Sequence, residues 1–131
     1  MMKTFLADVQ AWAQDSPDIQ ALLLVGSCAR GTNRPDSDVD LMVLTPKQME
    51  YVACHAFASR FGEVEREETE DWGACQSVRV FYRGGLEVEF GFVLPSWLDI
   101  PLDPGTRDVL RAGYRFLTDK KAYASFIEKA L

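Results

Sequence analysis

The chain has 131 residues, of which 47% are hydrophobic and 26% charged, a composition that predicts one globular domain and excludes disordered and fibrous classes. Its formal net charge is −6, and its 14 Lys and Arg residues are scattered among 20 Asp and Glu residues, which argues against a general nucleic-acid binder because phosphate neutralisation needs clustered basic side chains. An acidic chain can still bind a polyanion locally, through metal ions or backbone N–H groups.

The first part of the chain has the pattern helix, strand, strand. Apolar residues recur at helical spacing until Ser16, which predicts an amphipathic helix over 2–15. The short apolar run Ala21–Val25 predicts a strand that is buried on both faces. Polar and apolar residues then alternate over 39–43, which predicts a second strand.

A second helix and a charged connection are predicted next. With Thr45 as N-cap and Pro46 at the first helical position, the helix is expected to continue until Gly62. Its apolar face would consist of Met49, Val52, Ala53, Ala56, Phe57 and Phe61. The run 63–71 is acidic and lacks a clear period, so we expect it to be a solvated connection.

The remaining predicted elements are a β-hairpin and two helices. Residues 77–82 and 86–93 both have strand-like patterns, and Arg83-Gly84-Gly85 between them is a hairpin turn signal. Helical patterns follow over 106–113 and 120–131. The buried stripe of the last helix would consist of Tyr123, Phe126, Ile127 and Ala130.

These elements predict a single domain over 1–131, with 95–131 as a C-terminal helical extension. The three cysteines, Cys28, Cys54 and Cys75, are widely spaced and contain no CxxC, which favours reduced thiols over disulfides or zinc. The N-terminus lacks the apolar run of a signal peptide, and no segment approaches the ~20 apolar residues that span a bilayer. We therefore expect a cytoplasmic protein that does not bind membranes.

The segment from Gly26 to Leu41 is the most informative part of the sequence. Because side chains alternate along a strand, Asp38 and Asp40 are expected on one face, roughly 7 Å apart. Two ionised carboxylates so placed repel each other unless a cation or solvent compensates. Mg²⁺ takes oxygen ligands from one or two carboxylates and completes its shell with phosphate and water, which favours a metal site. The alternative is a solvated strand end.

The other end of this segment favours phosphate binding. Gly26 lets the backbone approach a phosphate closely, and the residues after it can begin a short helix with free N–H groups. The Ser27 hydroxyl adds one more donor. Arg30, one turn further along, either contacts phosphate or is an exposed structural arginine.

Three other readings of the segment fail on spacing. A P-loop requires a lysine directly after the second glycine, but Thr32 follows Gly31. An EF-hand starting at Asp36 requires glycine and glutamate where the chain has Leu41 and Lys47. The Gly-x-Ser-x-Gly pattern of serine hydrolases is not present in the sequence.

The pattern Gly26-Ser27, about ten residues, then Asp38-Val39-Asp40 resembles the signature of the DNA polymerase beta-like nucleotidyltransferase superfamily. The fuller string is similar to its small bacterial members, the minimal nucleotidyltransferases and aminoglycoside-type adenylyltransferases. The resemblance is close over roughly the first 45 residues. It implies an α/β (α+β) nucleotidyltransferase fold, with a mixed, mostly antiparallel sheet of about four to five strands flanked by helices.

The resemblance also implies a set of site residues. Asp38 and Asp40 would ligate two Mg²⁺ ions. The triphosphate of ATP or another nucleoside triphosphate would be held by Gly26, Ser27, Arg30 and Ser37. The family uses a third carboxylate on a later strand, as metal ligand or general base. Glu89 is favoured for it, because Glu87 lies close to the hairpin turn.

By resemblance, the chain would be a magnesium-dependent nucleotidyltransferase that moves AMP from ATP, or another nucleotide, onto a hydroxyl of a small molecule or protein. Only about 35 residues follow Pro95, which favours an acceptor site completed by a helical protein partner or a second copy of the chain. The alternative is an antitoxin-like or nucleotide-binding interaction protein with weak or no catalysis. Trp72 and Trp97 are expected as core or edge aromatics, with base stacking as the alternative.

Overall fold

A six-stranded sheet forms the centre of the computed structural model, which describes residues 2–32 and 38–131. The strands are β1 (Ala21–Val25), β2 (Val39–Leu44), β3 (Val64–Trp72), β4 (Cys75–Tyr82), β5 (Glu87–Val93) and β6 (Tyr114–Asp119). Their order across the sheet is β3-β4-β5-β2-β1-β6. Only the β2–β5 pair is parallel, and the other four neighbouring pairs are antiparallel. The predicted mixed α/β fold is confirmed, with one strand more than the four to five expected.

Helices cover both faces of this sheet. The described α-helices are α1 (Met2–Asp15), α2 (Gly26–Arg30), α3 (Gln48–Ala53), α4 (Pro104–Arg111) and α5 (Tyr123–Ala130). Two short 3₁₀ segments, Ala56–Arg60 and Pro95–Leu98, accompany them. No helix in the described ranges is both long enough and apolar enough to cross a membrane.

The two faces of the sheet pack against different parts of the chain. The first face packs against α1 and the Ala56–Arg60 segment, and its buried side chains include Leu22, Leu24, Leu41, Phe90 and Phe92. The second face packs partly against α4, α5 and the Pro95–Leu98 segment, through Leu23, Met42, Leu44, Leu110 and Ile127. Since β1 is covered on both sides, all five of its residues are buried, which explains its uninterrupted apolar sequence.

The helix predicted to run from Pro46 to Gly62 is interrupted. The α-helix ends at Ala53, because Cys54 adopts an extended conformation with φ −130° and ψ 110°. Met49 was expected on the apolar face but is 59% exposed. The inner face of α3 instead carries Gln48, whose side-chain amide donates to the carbonyl oxygens of Ala74 and Phe92.

The acidic run predicted to be a solvated connection is strand β3. It is solvated as expected, since only Val64 and Glu70 of its nine residues are even half-buried. It is an edge strand that pairs antiparallel with β4. Such a strand is held by backbone hydrogen bonds and has no buried face, so the alternation of apolar residues that identifies strands in a sequence is missing.

The segment 95–131, expected to be a helical extension, also contributes a strand to the main sheet. Strand β6 pairs antiparallel with β1, and α5 begins only at Tyr123. In α5, Ile127 is fully buried as predicted, whereas Phe126 is 56% exposed. The helix predicted over 106–113 is present as α4, with Asp103 as an N-cap that accepts from the backbone N–H of Gly105.

Candidate active site

Charged side chains meet in one row across the second face of the sheet. Going from β4 to β5 to β2, the residues in register are Arg79, Glu89 and Asp40, and the next residue in the row is Val25 of β1. Residues directly opposite one another on neighbouring strands project to the same face. Asp40, one of the two aspartates of the motif, is therefore the direct neighbour of Glu89, the favoured third carboxylate, across the parallel β2–β5 pair.

An open pocket of about 460 Å³ lies over this row. The residues that line it include Gly26, Asp40, Trp72, Arg79 and Glu89. It thus brings together residues that are separated by more than 60 positions in the sequence. Asp38 lies at its edge, directly before β2, and contacts Arg79.

Gly26 makes the closest backbone approach to the aspartates. Its φ is +72°, in the left-handed region that favours glycine. A Cβ added at this position would lie 2.5 Å from Oδ2 of Asp40, which is shorter than any non-bonded contact tolerates. Helix α2 begins at Gly26, and its N-cap residue Val25 provides no capping side chain. The backbone at the start of α2 is therefore open and adjacent to Asp40.

Arg79, which the sequence analysis did not single out, is the central cation of the site. Its Nη1 donates to Oδ2 of Asp38 at 3.1 Å and to Oε2 of Glu87 at 2.6 Å. Its Nη2 donates to Oε1 of Glu89 at 3.2 Å, and its Nε donates to Oε1 of Glu70 at 3.1 Å. One guanidinium on β4 therefore bridges four carboxylates, which come from β3, β5 and the segment before β2.

A signal for Arg79 was present in the sequence. A three-residue turn at 83–85 places Tyr82 opposite Leu86. Three residues further from the turn on each strand, Arg79 lies opposite Glu89. The neighbours Val78 and Val80 are buried on the first face, so Arg79 has to project from the second. Hairpin register combined with alternation could have identified the pair.

Burial and mutual repulsion raise the pKa of two carboxyl groups in the pocket. For Asp40, burial is the main cause and the charge of Asp38 adds to it, while Arg79 acts in the opposite direction. For Glu89, burial again comes first, Arg79 opposes it, and Asp40 contributes repulsion. Burial disfavours the charged form of Arg79. Hydrogen bonding to Glu87 and the charge of Glu89 nevertheless hold the pKa of Arg79 above its ordinary value. The pocket thus has an excess of negative charge.

The donor set of this pocket fits a divalent metal ion. Its ligand atoms are carboxylate oxygens, which Mg²⁺ prefers, and a bound cation would relieve the repulsion that raises the pKa of Asp40. In the structure of 2–32 and 38–131, no three acidic, histidine or cysteine side chains converge closely enough to form a metal-binding group. Arg79 lies between the carboxylates and takes part of their charge.

The other residues predicted for the site lie around this centre. Ser27 is half-buried in the first turn of α2. Arg30 is exposed, and its Nη1 donates to the carbonyl oxygen of Ala112 at 3.3 Å, next to α4. Glu87 contacts Arg79 near the hairpin turn. Ser37 lies outside the residues that the structure describes.

Trp72 connects the pocket to a larger neighbouring cavity. Its side chain is 61% exposed and lines both spaces. The second cavity, of about 840 Å³, is also lined by Trp97, Met49 and Leu94. Trp72 is thus an edge aromatic, as expected, and its exposed indole lies beside the carboxylates.

Comparisons with solved structures show the same fold in larger proteins. An aminoglycoside 6-adenyltransferase from Bacillus subtilis matches at 12% identity and a TM-score of 0.55, over 73% of this chain and 35% of that protein. Two crystal structures of the Cid1 poly(U) polymerase, one bound to Mg and 3′-dATP, match at 18% and 20% identity with TM-scores of 0.52 and 0.53. Each of these covers 85% of this chain, which spans about a third of the polymerase.

Identities this low show a likeness of fold alone. No curated protein matches the chain. A family model described as "Nucleotidyltransferase domain" matches residues 9–83, which is more than half of the chain and includes Gly26, Asp38, Asp40 and Arg79. The chain therefore belongs to the nucleotidyltransferase domain family.

Proposed function

We propose that the chain catalyses metal-dependent transfer of a nucleoside monophosphate from a nucleoside triphosphate to a hydroxyl group. The observation that carries this proposal is the alignment of Asp40 with Glu89 across β2 and β5, directly beside the backbone of Gly26. Carboxylates of this arrangement suit a hard cation, and an open glycine backbone suits a phosphate. Both are needed to hold a metal–triphosphate complex.

The proposed roles follow from the position of each residue. Asp38 and Asp40 would hold Mg²⁺, which when bound supplies neutralisation of phosphate charge and a lower pKa for the acceptor hydroxyl. The backbone N–H groups at the start of α2 and the Ser27 hydroxyl would bind the triphosphate. Arg30, and Ser37 on the resemblance of the motif alone, would add outer contacts to the phosphates.

Glu89 is proposed as the group that accepts the proton of the acceptor hydroxyl. Its pKa is raised by burial, and a carboxylate with a raised pKa is a better proton acceptor than an ordinary one. The bond from the acceptor oxygen to the α-phosphorus would form as the bond to pyrophosphate breaks. The proton would move to a carboxylate oxygen of Glu89. No covalent intermediate with the protein is needed, because positioning and charge neutralisation contribute most of the rate.

ATP is proposed as the nucleotide and a small-molecule or protein hydroxyl as the acceptor. ATP is favoured because the small bacterial proteins that the motif resembles include adenylyltransferases. The cavity beside the pocket has exposed apolar side chains at Met49, Trp72 and Leu94, which suits an acceptor or a helical partner that covers this side. A second copy of the chain is the alternative cover.

An antitoxin-like interaction protein with little catalysis is the second candidate function. The observation in its favour is the same exposed apolar rim, since Trp72 and Met49 would bury their surface against a partner. Under this alternative, the carboxylates would bind nucleotide without transferring it. Transfer activity separates the two candidates.

Nucleotide titration tests the proposed site. We expect ATP to bind the purified chain with Mg²⁺ present and to lose measurable binding when the metal is removed with a chelator, because the triphosphate would otherwise face an acidic pocket. Isothermal titration calorimetry with each of the four ribonucleoside triphosphates, with and without Mg²⁺, measures this. Equal binding with and without metal would contradict the proposal.

Replacement of Trp72 tests ligand stacking. Trp72→Ala is expected to weaken binding of the nucleotide or the acceptor by about 5- to 150-fold, since stacking a base on an aromatic side chain contributes about 1–3 kcal/mol. Phe126→Ala is the matched control, because Phe126 is also exposed, at 56%, but lies on α5. If both variants bind nucleotide and acceptor like the wild type, Trp72 has no ligand-binding role.

A further inference from the structure

The four ion pairs of Arg79 set it apart from an ordinary surface arginine. Its side chain is only 20% exposed, and its three guanidinium nitrogens all donate to carboxylates. An exposed pair such as Arg83 with Glu63, at 3.0 Å, joins one cation to one anion in solvent. Arg79 instead neutralises a cluster of acids that would otherwise repel one another.

The carboxylates that Arg79 contacts fall into two groups. The first group is Asp38, a proposed Mg²⁺ ligand, and Glu89, which faces Asp40 across β2 and β5; Arg79 is 3.1 Å and 3.2 Å from their oxygens. The second group is Glu70, which accepts from Nε at 3.1 Å, and Glu87, which accepts from Nη1 at 2.6 Å. The second group anchors Arg79 beside the metal site independently of the first group.

We propose that Arg79 is a tethered cation that competes with free divalent metal for Asp38 and Glu89. Metal then binds well only when it arrives together with the triphosphate. This inference rests on the proposed function of the same pocket. A free metal ion has to displace the guanidinium from both carboxylates, or bind against its positive charge. A metal–triphosphate complex brings anionic oxygens that give Arg79 a replacement partner.

Two consequences follow from this competition. In the free protein, Arg79 positions Asp38 and Glu89, so it is a positioning residue as well as a counter-charge. In the complex, the guanidinium remains held by Glu70 and Glu87, and its Nη2 donates to a phosphate oxygen as the Glu89 side chain turns away. Glu89 is thereby released to accept the proton of the acceptor. The exchange needs rotation of one side chain and no movement of the sheet.

The test compares metal binding in the absence and presence of nucleotide. In calorimetric titration with Mn²⁺ alone, we expect the Arg79→Gln variant to bind Mn²⁺ at least about tenfold more tightly than the wild type does, because a nearby positive charge is removed. With Mn²⁺ and a non-hydrolysable ATP analogue, the order is expected to reverse, and Arg79→Gln binds the complex more weakly. Arg83→Gln is the matched control, with both affinities equal to those of the wild type.

A second variant covers the case in which Arg79→Gln does not fold. Arg79→Lys keeps the positive charge but cannot bridge four carboxylates with one planar fork. Its affinity for free Mn²⁺ is therefore expected to stay within about threefold of the wild type and its affinity for the metal–nucleotide complex to fall. Thermal unfolding in chelator confirms that each variant is folded before the titrations are compared.

The outcomes separate the two proposals. If wild-type protein binds the metal–nucleotide complex but Arg79→Gln, or Arg79→Lys in its place, departs from the expected affinities, the competition inference is wrong and the proposed function stands. If wild-type protein binds no metal–nucleotide complex but Arg79→Gln gains affinity for Mn²⁺, the proposed function is wrong and competition for the carboxylates stands. If neither protein binds Mn²⁺ under any condition, both are wrong.

Discussion

Replacing Asp38 and Asp40 together with asparagine is expected to abolish nucleotide transfer without unfolding the protein. The double variant loses both carboxylates proposed to hold Mg²⁺, and loss of preorganised electrostatic stabilisation typically lowers a rate by about 100- to 1000-fold for each group removed. A transfer assay with α-labelled ATP and calorimetric titration with the Mg²⁺ complex measure the two effects. Asp8 and Asp15, exposed on α1, provide the control double variant.

Stability distinguishes a lost function from a lost fold in this experiment. Burial and the charge of Asp38 raise the pKa of Asp40, so the folded protein holds that proton more tightly than the unfolded chain. Ionised Asp40 therefore destabilises the folded wild-type protein. This loss of stability is absent below the ordinary pKa of an aspartate, grows as pH rises through the raised pKa of Asp40, and is complete above it. In chelator at neutral pH, the double variant should therefore unfold at the same temperature as wild type or higher. Normal transfer by the folded double variant would show that the site has been placed wrongly.

Gly26→Ala is expected to remove activity and to destabilise the fold. The new Cβ would lie 2.5 Å from Oδ2 of Asp40. The alanine would also have to adopt a φ of +72°. The left-handed backbone alone costs about 1–2 kcal/mol for an L-residue. The clash then displaces Asp40 or the start of α2, and misplacement of a reacting group by about 1 Å lowers a rate about 100-fold.

Gly31→Ala is the matched control for this substitution. Gly31 has nearly the same φ, +73°, and no described atom lies within 4 Å of the added Cβ. Urea unfolding should show the backbone cost of about 1–2 kcal/mol for Gly31→Ala and a larger loss for Gly26→Ala. Transfer by folded Gly31→Ala is expected to be close to that of the wild type. Equal stability and activity of the two variants would mean that the approach of Gly26 to Asp40 has no role.

The elements that were predicted well have patterns generated by local burial. Helix α1 and strand β1 appear over the ranges that periodicity predicted, because one buries a single stripe and the other is covered on both faces. The predicted hairpin of β4 and β5 is also confirmed. Its turn could be recognised in the sequence because Gly84 and Gly85 adopt the positive φ that favours glycine. Strands β3 and β6 were missed, because edge strands owe their stability to backbone pairing and leave little trace in hydrophobic pattern.

The sequence alone therefore carries the family, the mixed α/β class and the spacing of the glycine turn and aspartate pair, since each depends on neighbouring residues in the chain. The tertiary structure alone places Glu89 beside Asp40, puts Arg79 among four carboxylates and exposes Trp72 at the pocket. The contacts of Asp40 with Glu89 and of Asp38 with Arg79 join segments that are distant in sequence. Which residues face each other across a sheet depends on strand order and register, and the parallel pairing of β2 with β5 has no local signature in either strand.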